Sequence, residues 1–346
     1  MKKLGLAVSG IALALLTGCG GGGGSSSNST PTVKASFSGA ATAGDFATYS
    51  VVSDGSQLKL KYHVTGNAFG DETGEIPLYN KYKNVFFTDG DNDYYFLSGS
   101  LGMAKVKFDT ANAFVVGLNL PQKPITVDEL SKIVNKTYNI ADLYPDNGTF
   151  SLELLDINSS DVNTLSGTWT LHKSDGNVSG TWKVNNTYLE FYDSNNSLVD
   201  NVVLKPGVSR NGIIIDKVNG GFAIGLEAKP ITAADIGSSR FYYYDETDTY
   251  SCFGEVDVNG TDFNYTDTWC DNNEPDINVS GTLELNPQYD PDNNPATDNN
   301  ITLYGMAKVT IDGNDCYIFY DAKDGYYIKL NTNNYELSLG SNKPLQ

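Results

Sequence analysis

The stretch from Ala113 to Thr126, AFVVGLNLPQKPIT, decides how this chain is organised, because a shortened form returns from Gly221 to Thr232 as GFAIGLEAKPIT. Other similar segments keep the same order along the chain: NVSGTWKV at 177–184 with NVSGTLEL at 278–285, and GMAKVKFD at 102–109 with GMAKVTID at 305–312. Preserved order at a spacing of about 100 residues, or twice that, indicates related modules. The competing interpretation is chance recurrence in a β-rich sequence.

We predict three tandem modules, at residues 33–122, 123–229 and 230–346. Repeats of this length exceed the unit of a solenoid, whose repeats are stable only when stacked on one another. Each module is therefore expected to enclose its own core and to share none with its neighbours.

Alternation of apolar and polar residues is the main local pattern inside the modules. QLKLKYHV, GTWTLHK, TYLEFYD and YYIKLNT each alternate with a period of two, which is typical of half-buried strands. Asp-Gly and Asn-Gly pairs between such segments favour tight hairpin turns. The sequence thus predicts an all-β fold, in which antiparallel β-meanders close as three small barrels or sandwiches.

Helix is predicted only as a signal helix at the N-terminus and as short helices at the module junctions. In TVDELSKIV, Thr126 can cap a helix and Glu129 stands three residues later, the pattern of a capping box. Thr232 before AADIG is a shorter counterpart at the next junction.

The first residues have the layout of an exported signal peptide. Lys2 and Lys3 precede the apolar run from Leu4 to Leu16, and small residues follow. The run is too short for a spanning helix, which needs roughly 20 apolar residues.

The end of this run, LTGC at 16–19, resembles the lipobox of bacterial lipoproteins. The resemblance implies that residues 1–18 are removed and that Cys19 carries the lipid that anchors the protein to a membrane. Residues 19–32, rich in Gly and Ser, then form a flexible linker. Gly20, where retained lipoproteins often have Asp, implies the outer membrane. The alternative is an ordinary cleaved signal peptide with a free or buried cysteine.

Composition excludes one class of partner. The chain has 23 Lys and Arg against 42 Asp and Glu, a formal net charge of −19. Nucleic acid is not expected as a partner, because phosphate backbones require clustered Lys and Arg. The 22 Tyr and 15 Phe argue against disorder, because they supply large apolar side chains for a core.

Residues for catalysis are scarce in this sequence. Its only histidines, His63 and His172, stand on the polar side of strand-like segments and have no nucleophile or metal ligand nearby in sequence. No GxSxG elbow, P-loop, HExxH or CxxC motif occurs. The chain is therefore predicted not to be an enzyme. The alternative is a hydrolase of an envelope polymer that uses paired carboxylates, whose geometry spacing cannot exclude.

Three cysteines remain after the proposed lipid anchor. Cys252 and Cys270 flank a VNGT turn, and export makes a disulfide between them chemically plausible. Cys316 would then be unpaired and buried as a small apolar side chain. Pairing of Cys316 with either of the other two is the open alternative.

Two acidic loops are candidates for binding calcium, because alternate residues can direct oxygen ligands towards one centre. Both loops lack the glycine and the terminal glutamate of a calcium loop, and ordinary solvated turns are the competing interpretation. The candidate ligands are Asp290, Asp292, Asn294 and Asp298 in one loop, and Asp89, Asp91 and Asp93 in the other.

The segments LSGTWTL at 165–171 and VSGTWKV at 178–184 resemble strands of lipocalin-like β-barrel domains. The resemblance implies a barrel that presents a cavity or a binding face. Trp169, Trp182 and Trp269, with neighbouring tyrosines, are expected to line it, or else to fill cores. The predicted function is non-enzymatic: binding of a glycan, a peptide or a small apolar ligand, or a structural or adhesive role.

Overall fold

The computed structural model describes residues 31–41, 44–67, 69–88, 94–107, 112–144, 149–173, 176–246, 251–270, 278–290, 300–311, 313–331 and 336–345. All of them belong to one compact unit, Pro31–Gln346. Within these ranges the prediction of an all-β, antiparallel fold with short helices is confirmed, with 27 strands and two α-helices. No helix in the described ranges is long and apolar enough to cross a membrane. The predicted signal peptide, Cys19 and most of the predicted linker at 19–32 lie outside them.

The first eight strands form a closed antiparallel barrel in chain order, and β8 pairs back with β1. We call it the first barrel. Its strands are β1 (Thr32–Ala41), β2 (Phe46–Asp54), β3 (Gln57–Gly66), β4 (Gly70–Tyr82), β5 (Val85–Phe87), β6 (Tyr94–Leu97), β7 (Leu101–Lys107) and β8 (Asn112–Asn119).

The second barrel is also closed and antiparallel, and β16 pairs back with β9. Helix α1 (Val127–Ile133) precedes it and contributes Leu130 to its core. Thr126 and Glu129 form the predicted capping box of this helix. The strands are β9 (Lys136–Tyr144), β10 (Thr149–Asn158), β11 (Ser166–His172), β12 (Val178–Asn185), β13 (Tyr188–Tyr192), β14 (Leu198–Lys205), β15 (Gly212–Lys217) and β16 (Phe222–Glu227), with a 3₁₀ turn at Val162–Thr164.

The third sheet follows helix α2 (Ala233–Ile236), which has its own capping box between Thr232 and Asp235. Its order is β20-β19-β18-β17-β27-β26-β25-β24-β21, and β22 and β23 form a separate hairpin. The strands are β17 (Ser238–Glu246), β18 (Ser251–Asn259), β19 (Asp262–Cys270), β20 (Asn278–Thr282), β21 (Glu284–Leu285), β22 (Gln288–Tyr289), β23 (Ile301–Thr302), β24 (Met306–Ile311), β25 (Asn314–Asp321), β26 (Tyr326–Asn331) and β27 (Glu336–Ser341).

The third sheet wraps round because its two edge strands are neighbours in sequence. Only Leu283 separates β20, which pairs with β19, from β21, which pairs with β24. Leu283 itself belongs to the core that the sheet encloses. One extended segment therefore bridges both edges of the sheet.

The repeated Ser-Gly-Thr-Trp segments of the second barrel have a packing reason. Gly167 lies opposite Trp182, and Gly180 lies opposite Trp169, in the β11–β12 pair. A Cβ atom at Gly167 would lie 2.7 Å from the Trp182 ring, and one at Gly180 would lie 2.8 Å from the Trp169 ring. Each glycine thus makes room for the indole across the strand pair.

The sheets share a core in addition to enclosing their own. Each encloses an apolar cluster, but a fourth cluster is built from outward-facing side chains of all three sheets. In β15, for example, Ile213 and Ile215 point into the second barrel, whereas Ile214 joins the shared core. Side chains alternate between the two faces of a strand, so such a strand is apolar on both. The expectation that the modules share no core is therefore wrong.

Candidate functional site

Two of the three tryptophans fill a core instead of lining a binding face. Trp169 and Trp182 are 4% and 1% exposed in the second barrel. Trp169 stacks on Phe191 with centroids 5.4 Å apart, and the two indole N–H groups donate to the carbonyl oxygens of Tyr192 and Asn158. Their polar atoms are satisfied within the protein, so of the two interpretations the core-filling one holds for Trp169 and Trp182, and they do not line a ligand site.

Trp269 is half-buried at the junction of the third sheet with the first barrel. Its ring stacks on Phe253 at 5.2 Å and lies 5.1 Å from the ring of Tyr94 in the first barrel. Tyr82 also stacks on Phe253, at 5.2 Å, and the Lys81 ammonium lies 5.3 Å from the Trp269 ring. These rings pack against one another, so this aromatic group joins the two sheets.

Each histidine pairs with an aspartate on the neighbouring strand. His63 Nε2 lies 2.7 Å from Asp71 Oδ1, and His172 Nε2 lies 2.8 Å from Asp156 Oδ2. The Thr137 hydroxyl donates to Asp156 at 2.6 Å, so the carboxylate lies between the hydroxyl and the imidazole. In a catalytic triad the imidazole lies between the hydroxyl and the carboxylate. The order of groups at His172 therefore differs from that of a triad.

The disulfide joins Cys252 of β18 to Cys270 of β19, at directly paired positions. Asp267 lies close to both sulfur atoms, but a disulfide offers no thiolate for a metal. Cys316 is a free cysteine buried in the third sheet, and burial raises the pKa of its thiol to about 11.

The calcium candidates fall almost entirely outside the described residues. Asp290 directly follows β22. Calcium binding at either loop stays a prediction, because the remaining candidate ligands, Asp292, Asn294, Asp298, Asp89, Asp91 and Asp93, have no described placement.

Carboxylates are gathered inside the third sheet, where the hydrolase alternative would need them. Lys329 Nζ lies 2.5 Å from Glu336 and 3.7 Å from Asp245; Lys329 and Asp245 are buried, and Glu336 is partly buried. The Tyr265 hydroxyl donates to Asp245, and burial raises the pKa of this aspartate. The adjoining apolar cavity, which Lys329 also lines, has a volume of about 40 Å³. It has room for water molecules but not for a sugar ring.

A concavity lies between the first two barrels at the first KPIT segment, Lys123–Thr126, which we call the first linker. We call the concavity the first linker cleft; its volume is about 250 Å³. It is lined by polar side chains, by prolines and by apolar side chains of both barrels and of α1: Ser38, Asn119, Leu120, Pro121, Lys123, Ile125, Glu129, Lys132, Ile133, Thr187, Leu204, Lys205 and Pro206.

Local folding of the linker places the charges of the first linker cleft. Glu129 is held by the Thr126 cap, and its carboxylate lies 2.7 Å from the Lys123 ammonium. These hydrogen bonds lower the pKa of Glu129 to about 2, so it is ionised. Lys205 is half-buried and donates to the carbonyl of Ser100 at 3.2 Å, and loss of water contact lowers its pKa.

The cleft thus combines three ammonium groups with one carboxylate in a protein of strongly negative charge. Its remaining lining is largely apolar, with a few hydroxyl and amide groups. An anionic molecule with an apolar part matches this lining in charge and in polarity. The KPIT repeat in the sequence pointed to this segment. It did not indicate that Lys205, about 80 residues away in the chain, would lie beside Lys123 and Lys132.

Comparison with known proteins finds no protein family and no curated protein that matches the chain. Among solved structures, the chain is similar to the isotype 1 transferrin binding protein B from serogroup B Neisseria meningitidis, with 13% identity and a TM-score of 0.26. The aligned part covers 86% of this chain and 64% of that one, so the chain spans less than two thirds of the length of that protein. A TM-score of this size marks a distant likeness.

Proposed function

We propose that this protein is a lipid-anchored binding protein of the bacterial outer membrane, without enzymatic activity, and that the first linker cleft receives its ligand. The observation that carries the proposal is the cleft itself. Its volume of about 250 Å³ exceeds that of the 40 Å³ cavity inside the third sheet, and its lining is part apolar and part cationic.

The ligand is an anion with an apolar part. Leu120, Ile125 and Leu204 offer apolar contacts, and Lys132 is an exposed cation at the same cleft. A carboxylate or similar group beside the lysines would gain charge-assisted hydrogen bonds, while its hydrocarbon portion would leave water. The ligand is expected to be small, because drug-sized ligands occupy pockets of roughly 300 to 1,000 Å³.

The non-enzymatic interpretation is supported by how the carboxylates are used. A hydrolase of an envelope polymer needs two carboxyl groups that face the substrate across an open site. Asp245 and Glu336 instead share the ammonium of Lys329 inside the third sheet. A purely structural or adhesive role, the remaining alternative, gives no reason for a cationic cleft in an acidic protein.

Binding at the cleft is tested with decanoate, which carries one carboxylate on an apolar chain. We expect isothermal titration calorimetry to detect decanoate binding, and Lys132→Glu to weaken it at least tenfold through charge reversal. Lys34→Glu, which changes an exposed lysine of β1 in the same way, is the matched control and should leave the affinity unchanged. Equal affinity for both variants, or no binding at all, would reject the cleft as the site.

The anchor is tested separately by Cys19→Ala. Removal of the thiol removes the acylation site, so the variant should move from the membrane pellet to the soluble fraction. Persistence of the variant in the pellet after washing with salt would show that something other than a lipid on Cys19 holds the protein.

A further inference from the structure

The second linker, Lys229–Thr232, repeats the sequence of the first linker and also borders a cavity. We call it the second linker cavity; it has a volume of about 70 Å³ and lies where the second barrel meets the third sheet. Its lining is more polar than that of the first linker cleft: Ser209, Arg210, Lys229, Pro230, Ile231, Asp235, Tyr320, Ala322 and Lys323.

Arg210 is the distinctive residue of the second linker cavity. It is 4% exposed, and its Nη1 donates to the carbonyl oxygens of Tyr320, at 3.1 Å, and of Gly305. Its Nε and Nη2 groups have no acceptor within the part of the chain that the structure describes. Neither nitrogen is among the buried polar atoms without a partner, so both have some exposure, and the planar fork of an arginine suits the oxygens of a carboxylate or a phosphate.

Two lysines add positive charge to the same cavity. Lys229 and Lys323 both line it and are exposed on their outer side. The Lys229 ammonium lies 3.4 Å from the carbonyl oxygen of Ser209, so a backbone carbonyl is its recorded contact. Neither lysine lies within ion-pair distance of a carboxylate among the described residues, although the charges of Lys323 and Arg210 help to lower the pKa of Asp235.

The acidic groups near the cavity each accept hydrogen bonds through one oxygen, and the buried Oδ2 of Asp321 has no partner among the described residues. Asp235 Oδ2 accepts hydrogen bonds from the backbone N–H and the hydroxyl of Thr232, at 2.9 and 2.7 Å. Asp321, the strongest acidic neighbour of Arg210, accepts from the Ser209 hydroxyl at 2.9 Å and from two backbone N–H groups. Three cations therefore face one lining carboxylate, and the cavity carries net positive charge.

We infer that the second linker cavity binds a small oxyanion of the phosphate or sulfate class, with Arg210 as its main ligand and Lys229 and Lys323 as supporting cations. The volume of about 70 Å³ suits a compact anion rather than an extended ligand. Backbone groups and the flanking barrel hold Arg210 in place, so the site exists before the anion arrives and little ordering is required on binding.

The inference does not depend on the proposed function, because the two sites differ in ligand and in residues. Inorganic phosphate, sulfate and glycerol phosphate are titrated into the full-length lipoprotein in detergent, and binding is measured by calorimetry and by the rise in the thermal unfolding midpoint. Phosphate or sulfate is expected to bind and to raise the midpoint. Tighter binding of glycerol phosphate than of phosphate would identify a phosphate ester as the source of the anion.

Variants assign the binding to the cavity. Arg210→Gln should abolish it, and the double variant K229A/K323A, which alters only outward-exposed lysines, should weaken it at least tenfold while the protein stays folded. Lys34→Ala, at an exposed position of β1 outside both clefts, is the matched control and should bind phosphate as the parent does. No binding of any of the three anions at 10 mM, or equal affinity in K229A/K323A and the parent, would overturn the inference.

Discussion

The second barrel and the third sheet have the same antiparallel architecture but different interiors. At the centre of the second barrel, Trp169 stacks on Phe191 beside Trp182. The third sheet buries Lys329 with Asp245 and a second carboxylate among tyrosine rings. The alternation of apolar and polar residues predicts the strands of both sheets, because it specifies which face of a strand is inside. It does not specify which side chains fill the interior.

This difference implies different weaknesses. A core of aromatic rings is sensitive to lost volume, because its surroundings collapse only in part around a cavity. A buried ion group contributes little net stability compared with apolar residues of similar volume, but removal of one partner leaves a charge that water cannot reach. The second barrel should therefore respond to changes of size, and the third sheet to changes of charge.

The largest expected effect is that of Trp182→Ala in the second barrel. The substitution opens a cavity at a 1% exposed ring and leaves the carbonyl of Asn158 without its indole donor. The free energy of unfolding should fall by about 3 to 5 kcal/mol, measured by urea denaturation of the chain from Ser25 onward. Val178→Ala, at an exposed position of the same strand, is the control. A cost below about 1 kcal/mol would show that this core repacks freely.

Lys329→Met tests the third sheet and should cost about 3 kcal/mol at pH 8. The methionine keeps most of the apolar stem but leaves Asp245 and Glu336 without their shared cation. The triple variant K329M/D245N/E336Q removes the charges together and should recover most of the loss. Lys308→Met, at a partly exposed pair with Asp315, is the matched control. A triple variant no more stable than Lys329→Met would mean that the charges are not the cause.

The disulfide gives a third comparison between the two regions, because only the third sheet has one. Replacement of Cys252 and Cys270 by alanine removes a cross-link over a separation of 18 residues. The chain-entropy estimate predicts a loss of about 3 kcal/mol, measured again by urea denaturation. A reducing agent should lower the stability of the parent to that of the double variant and leave the variant itself unchanged. A parent that does not respond to the reducing agent would contradict this.

The strands, hairpin turns and both capping boxes could be predicted because each depends on residues close together in sequence. Thr126 with Glu129 is one such local signal. The shared core could not be read from single segments, since burial of a strand on its outer face depends on the neighbouring sheet. Runs without alternation, such as GIIID at 212–216, were the available sign, because strands buried on both faces are continuously apolar.

The candidate sites were harder to predict than the fold. The KPIT repeat marked both linkers, but Arg210 and Lys323 reach the second linker cavity from loops more than 100 residues apart, and the sequence holds no spacing that links them. For Trp169 and Trp182 the sequence left two interpretations open, a ligand site or a core. Gly167 and Gly180 lie opposite these indoles on the paired strand and leave space for the rings inside the barrel. This arrangement is typical of core packing.

The last expected effect concerns pH and the junction of the first two barrels, and it accumulates gradually across the pH range. Asp216 lies on the outer face of β15, accepts one hydrogen bond from Asn201 at 2.8 Å, and has a second oxygen with no partner among the described residues. Burial, with Asp45 and Asp200 nearby, raises its pKa to about 7. The folded protein therefore keeps a proton that the unfolded chain loses above about pH 4. The free energy of unfolding is therefore highest below that pH. It falls by up to about 1.4 kcal/mol per pH unit as the pH rises to 7.

Asp216→Asn removes this dependence, because the amide has no proton to lose in that range. Urea denaturation at pH 5, 6, 7 and 8 should show a flatter profile for the variant, which should exceed the parent in stability at pH 8. Asp128→Asn, at an exposed position of α1, is the control. Identical slopes for parent and Asp216→Asn would place the pH response elsewhere, and the ion group of the third sheet would be the next place to measure. A flatter slope would instead assign the pH response to the junction of the first two barrels. There the outer face of β15 is buried against the neighbouring barrel and is removed from water.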